Sequence, residues 1–131
     1  MQYLCIVYAG TGSDTLSEAE NTAIKDACIE GDNALFDAGK LYMASTLQGP
    51  ETGAYLRSVN GKTRRVDGPY AETKELIAGF MVIEAADLDE AIAVAAPGPL
   101  EGMISLEIRP LLDEKHSKTG QDRSAFFVGR P

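Results

Sequence analysis

The spacing of apolar side chains changes several times along the chain, and each change marks an element. Residues 3–8, Tyr3-Leu4-Cys5-Ile6-Val7-Tyr8, are apolar or aromatic throughout, the pattern of a strand buried on both faces. Ala9-Gly10-Thr11-Gly12-Ser13-Asp14 breaks the run. Over residues 15–37 the repeat lengthens to that of a helix. Leu16, Ala19, Ala23 and Ala27 form one stripe, with Ile24, Cys28, Leu35 and Ala38 beside it. Ser17 and Glu20 have the spacing of a capping box, while Asp14 or Thr15 would cap one turn earlier. Gly39 suits the left-handed position after a helix, because it has no Cβ to clash.

Residues 41–47 return to a strand, which Gln48-Gly49-Pro50 ends. Tyr55–Val59 and residues 63–66 flank Asn60-Gly61-Lys62. Asn-Gly between extended runs signals a hairpin, since both residues accept positive φ; with Lys62 in the loop, the turn is a longer variant. Asp67-Gly68-Pro69-Tyr70 reads as a compact turn, and residues 71–75 as a polar connector or one helical turn. Residues 77–85 form the next strand, in which Gly79 permits a bulge or a close backbone approach. In the second helix Asp87 is the cap and Glu90 its reciprocal partner, and Leu88, Ala91, Ile92 and Ala95 make the inner stripe. Pro97-Gly98-Pro99 stops that helix. In residues 103–109 Met103 or Ile104, Leu106 and Ile108 alternate with polar Ser105, Glu107 and Arg109.

This order, β-α-β, an inserted β-hairpin, then β-α-β, predicts an α+β fold of ferredoxin-like type with both helices on one face of a four-stranded antiparallel sheet. The second face carries apolar residues too, because neighbours such as Val82 and Ile83 point opposite ways. A second copy of the chain is the economical cover, so a homodimer is expected.

Composition narrows the function classes. At 131 residues the chain suits one domain, residues 1–131, and a core that needs no metal or disulfide staple. Twenty acidic against 12 basic residues, a net charge of −8, disfavour direct nucleic-acid binding. Cys5 and Cys28 sit among apolar neighbours and read as buried free thiols. The amino terminus reads as a strand and not as a signal peptide, and no apolar run reaches a membrane span, so a cytoplasmic protein without membrane contact is expected. No cofactor is expected: Gly10-x-Gly12 lacks the third glycine of a dinucleotide fingerprint, and there is no P-loop or Gly-x-Ser-x-Gly elbow. One histidine and scattered carboxylates make no metal-ligand set.

The segment Val66-Asp67-Gly68-Pro69-Tyr70-Ala71-Glu72-Thr73-Lys74-Glu75 closely resembles the hallmark of the DGPF branch of the YCII-related proteins, D-G-P-F-x-E-T-K-E, with Tyr70 in place of phenylalanine. The resemblance continues through Gly79-Phe80, Ile83-Glu84, Leu88-Asp89-Glu90-Ala91 and Glu107-Ile108-Arg109-Pro110, over residues 2–111. It implies a dimeric α/β barrel, in agreement with the element order. Some related proteins are similar to dehalogenase-like or lyase-like ferredoxin-fold enzymes. YCII-type members carry a histidine–aspartate pair suspected of catalysis, but the histidine here, His116, lies in the polar tail beyond the resemblance. Relatives encoded beside extracytoplasmic-function sigma factors imply a regulatory link to transcription as an alternative.

Several residues are candidates for chemistry. Asp67, held by Gly68-Pro69, can act as a base or simply bond the turn's own N–H groups. Tyr70 offers an aromatic wall with a hydroxyl. Glu72, Thr73 and Lys74 bring an acid, a hydroxyl and a cation, although three consecutive helical residues would not share a face. Asp67, Glu72 and Lys74 are therefore the catalytic candidates, and Tyr70, Thr73, Arg57 and Arg109 the substrate-binding ones. Arg57, Lys62, Arg64 and Arg65 surround the hairpin and either attract an anion or keep a two-stranded edge soluble. Arg109 lies on the same side of its strand as Glu107, for an ion pair or an anion site. Residues 113–131 form an extension expected to dock, through Phe126-Phe127-Val128, on the domain or on the dimer partner. Two functions follow: a small-molecule enzyme using a carboxylate near the Asp67 turn, or a non-catalytic binding or regulatory module.

Overall fold

The computed structural model describes residues 1–10, 16–66 and 75–127. The chain runs β1 (Gln2–Gly10), α1 (Glu18–Asp37), β2 (Leu41–Thr46), β3 (Tyr55–Val59), β4 (Lys62–Val66), β5 (Glu75–Glu84), α2 (Leu88–Val94) and β6 (Ile104–Pro110), with 3-10 turns at Pro50–Thr52, Gly98–Leu100 and Arg123–Phe126. Four strands form one sheet in the order β2-β5-β1-β6, every neighbour antiparallel, and β3 pairs with β4 in a separate two-stranded sheet. An α+β chain with this strand order and two crossover helices is compatible with a ferredoxin-like fold.

Side-chain alternation divides the large sheet into two unlike faces. Ala44, Met81, Cys5 and Ile108 lie in one row across the strands, and all belong to or pack against the core. Tyr3, Leu41 and Ile83 occupy the next inward row, where Ala85, Ala91 and Ala95 close the core from the α2 side. Leu4, Ile6, Phe80 and Val82 take the alternate positions and are only half-buried. The expectation that β1 is buried on both faces is therefore corrected. Tyr3 and Cys5 are buried, whereas Leu4, Ile6 and Tyr8 are not, because the helices lie on one side only; Val7, on the inner face, is half-buried where it lines the cleft under α1.

Local chemistry explains the helix ends. At α1 the Ser17 side chain accepts from the Glu20 N–H at 3.1 Å and the Glu20 carboxylate accepts from the Ser17 N–H at 3.2 Å, which settles the cap on Ser17. After α1, Gly39 at φ 75 donates to the Phe36 carbonyl and Lys40 to that of Leu35, the two bonds of a Schellman end. At α2, Asp87 accepts from the Glu90 N–H at 2.8 Å. Glu90 does not complete the box; its carboxylate lies 3.4 Å from the Lys40 amine. The predicted α2 stripe is also corrected. Ala91 and Ala95 are buried while Leu88 and Ile92 are exposed, since a two-turn helix presents only one narrow face to the sheet.

Asn60 at φ 52 and Gly61 at φ 77 join β3 to β4, and Val59 pairs with Lys62. Lys62 thus belongs to the strand and the turn has two residues, as two consecutive left-handed positions allow. In β5 the register slips opposite β1, where Val7 faces Gly79 and Tyr8 faces Ile77, leaving Ala78 as the extra residue of a bulge. A Cβ on Gly79 would sit 2.7 Å from the Ser45 carbonyl oxygen of β2.

Beyond β6 the extension ties itself into a loop. Lys115 and Asp122 form an ion pair at 2.6 Å, Arg123 and Glu114 another at 2.8 Å, and the Asp113 carboxylate accepts from both the Ser124 N–H and its hydroxyl. The His116 ring nitrogen Nδ1 accepts from the N–H groups of Lys118 and Thr119. Leu112 is 79% and Phe127 67% exposed, and Val128 lies outside the described residues. No helix among the described residues is long and apolar enough to cross a membrane.

The contact at Gly79 is backbone against backbone, so no side-chain rotation can relieve it. Gly79→Ala should lower stability by about 1–3 kcal/mol in urea denaturation, as overpacking does. An unchanged midpoint would mean that the edge strand β2 yields to admit the methyl group.

Candidate functional site

α1 crosses the inner face of the sheet without burying any residue fully. Its sheet-facing side chains are mostly small or widely spaced, and the helix stands off from the strands. The gap is a cleft of about 790 Å³, floored by Val7 and Ala9 of β1, Ala78 of β5 and Leu106 of β6, and roofed by Ile24 and Leu35 of α1. Pockets for small organic ligands fall in this size range and share this apolar character. The cleft lies toward the sheet end at which Gly10 pairs with Glu75, and it reaches Ala9, the residue before that pair.

The helix positions turned inward differ from those predicted. Ile24, Ala27, Cys28, Asp32 and Leu35 are half-buried, whereas Ala19 and Ala23 are exposed. The true stripe thus contains a carboxylate. Burial raises the Asp32 pKa above its ordinary value of 3.8. The Cys28 thiol one turn earlier is raised as well, first by burial and then by the negative charge of Asp32. Both cysteines are free thiols, and burial pushes Cys5 in the core up to about 11. Asp32 was absent from the sequence candidates because it is one of six acids in α1, and acids on a helix read as solvent-facing. Its position four residues after Cys28 and three before Leu35 was the available signal.

Of the sequence candidates, Asp67, Tyr70, Glu72, Thr73 and Lys74 lie outside the described residues. Their neighbour Glu75 opens β5 and accepts a hydrogen bond from the Ser105 hydroxyl at 3.1 Å. Arg57 and Arg109 stand on different sheets. Arg57 lies 5.8 Å from the Tyr55 ring centre and directly opposite Arg64, so it does not share a face with Arg65. Arg109 points to the open face of the large sheet, where its guanidinium lies 3.9 Å from Glu107. Glu107 also accepts from the Tyr8 hydroxyl at 2.8 Å, and that bond is the main reason the Tyr8 pKa is raised.

The YCII-related domain profile matches residues 1–115. The chain belongs to the YCII-related family. An uncharacterised protein of Rhizobium meliloti (strain 1021) is 43% identical over 79 residues, a match that covers 57% of this chain and 62% of that protein. The family match of this YCII-related protein ends one residue before His116, whose ring is engaged within the tail loop.

A carboxyl group with a raised pKa weakens the fold at pH values where it must ionise. The penalty is absent below the ordinary value of 3.8, grows as pH rises through the raised pKa, and is complete above it. Asp32→Asn should therefore melt at a higher temperature than the parent at neutral pH. The gain should shrink on acidification and vanish below the ordinary carboxylate range, as thermal melts across pH would record.

Proposed function

We propose that this YCII-related protein is a cytoplasmic homodimer of the DGPF branch and a small-molecule enzyme, with its ligand in the cleft under α1 and a carboxylate of the Asp67 turn as the proton-transferring group. The observation that carries this reading is the reach of an apolar, ligand-sized cleft to Ala9, beside the Gly10–Glu75 pair. Glu75 follows directly on the segment that holds Asp67, Tyr70, Glu72, Thr73 and Lys74. In this arrangement Asp67 is the base, Glu72 and Lys74 assist with charge, and Tyr70 and Thr73 orient the ligand. Free Cys5 and Cys28 suit a reducing compartment.

Support for the dimeric barrel comes from the open sheet face. Leu4, Ile6, Phe80 and Val82 run across its middle, with Met43 57% and Ile77 52% exposed at its margin. Tyr8, Glu107 and Arg109 stand on the same face as polar groups beside them. An apolar centre with a polar border is the composition of a protein interface. In this reading Arg109 belongs to that border and Arg57 to a solvated hairpin edge. The exposed Leu112 and Phe127 of the tail add contacts to the partner.

Light scattering coupled to size exclusion should give about twice 14.0 kDa. Phe80→Glu should reduce this to the mass of one chain while the amide spectrum stays folded. A single-chain mass for the parent protein would remove the dimer.

After a substrate screen, Asp67→Asn should lower turnover by at least about a hundredfold, as loss of a general base does, with the fold unchanged. Unaltered turnover excludes Asp67 as the base. A parent protein that binds cleft ligands but turns none over is a binding module instead.

A further inference from the structure

Asp32 is the acid of α1 that lines the cleft, and the described residues give its carboxylate no partner. It lies in the interior of a 20-residue helix, where backbone N–H groups are already engaged along the helix and cannot serve as donors. Among the described residues no hydrogen bond or ion pair reaches its carboxylate. Of the other polar side chains on the cleft wall, Asn21 and Thr46 are exposed to solvent. The Ser45 hydroxyl donates to the Thr46 carbonyl, and Lys25 stands 3.8 Å from Asp26 with most of its side chain in solvent. A carboxylate turned toward an apolar space without a partner costs stability, and an alanine or leucine there would continue the stripe.

We infer that the cleft takes a small molecule with an apolar body and one protonated amine end, and that Asp32 is the residue that binds the amine. This rests on the reading of the cleft as a ligand site and names the ligand's chemical class. An ammonium group would supply the missing donors to Asp32 and offset its charge, while the floor of Val7, Ala9, Ala78 and Leu106 receives the hydrocarbon. An anionic ligand would meet like charge at Asp32. A neutral one can donate a hydrogen bond but leaves the negative charge uncompensated. A divalent cation needs several oxygen ligands, and the described residues bring together no group of three or more side chains able to hold one.

Hexylamine, hexanol and hexanoate separate these classes, because they share a chain and differ at one end. Titrated into the full-length protein and followed through the amide signals of Gly31 and Gly79, hexylamine should bind about tenfold or more tighter than hexanol, the range for a hydrogen bond to a charged group. Hexanoate should bind more weakly than hexanol. In Asp32→Asn the amine should fall to the affinity of the alcohol, while the alcohol keeps its own. That variant is expected to fold at least as stably as the parent, so a loss of preference reads on recognition. Equal binding of amine and alcohol, a preference for hexanoate, or an amine preference that survives in Asp32→Asn overturns the amine assignment and leaves the cleft as a ligand site. If none of the three perturbs the Gly31 and Gly79 signals, the cleft itself is not a small-molecule site, and both readings fall.

Discussion

Simultaneous pairing of β1 with β5 and β6 is the constraint on which the remaining structure depends. A strand hydrogen-bonded along both edges has no freedom of register, and each inward side chain it carries fixes the row to which its neighbours contribute. Cys5 thereby sets the Ala44–Met81–Cys5–Ile108 row, and Tyr3 the row with Leu41 and Ile83. Both crossovers then return over the same face. One side of the sheet becomes the core, and the other is left with a band of half-buried apolar residues.

The core is asymmetric in a second way. Near α2 it is tight: Ala91 and Ala95 are small enough to bring the helix against Ile83 and Cys5, all buried. Under α1 it is loose, because the inner stripe alternates medium side chains with alanine, cysteine and aspartate. The fold is therefore anchored at one end of its inner face and open at the other. The glycine-permitted approach of β2 to β5 at Gly79 holds the sheet edge beside the open end, while the Schellman turn enters β2 at the tight end, where Leu41 pairs with Ile83. Paired strands fix the floor of the cleft, and α1 supplies its roof.

Electrostatics follow the same division. Ion pairs such as Lys115–Asp122 and Arg123–Glu114 lie in the exposed tail, where screening limits their worth and their service is to close a loop. Glu84, the last residue of the interior strand β5, is engaged by the amino terminus and the Tyr42 hydroxyl, which hold its carboxyl below the ordinary range. Asp32 is the opposite case, a carboxylate in a half-apolar setting with its pKa moved up. A carboxylate shifted by burial and facing a cavity is the kind of group from which chemical recognition is built.

The sequence by itself determined the order of elements, the Asp87 cap, the Gly39 stop and the Asn60-Gly61 turn, because each depends on contacts within a few residues of chain; it narrowed the α1 cap to Asp14, Thr15 or Ser17, and the structure chose Ser17. Periodicity also marked which strand residues alternate. It did not determine which α1 positions face the sheet, since leucine, isoleucine and alanine fall on two overlapping stripes and the choice between them depends on how the helix docks. For the same reason Leu88 and Ile92 of α2 were expected inside and are exposed. The pairing of Arg57 with Arg64, the separation of Arg57 from Arg109, and the placing of Asp32 on the wall of the cleft arise from strand register and helix docking, which are long-range contacts with no local signature. Tertiary packing alone turned an unremarked aspartate into a group that faces a cavity.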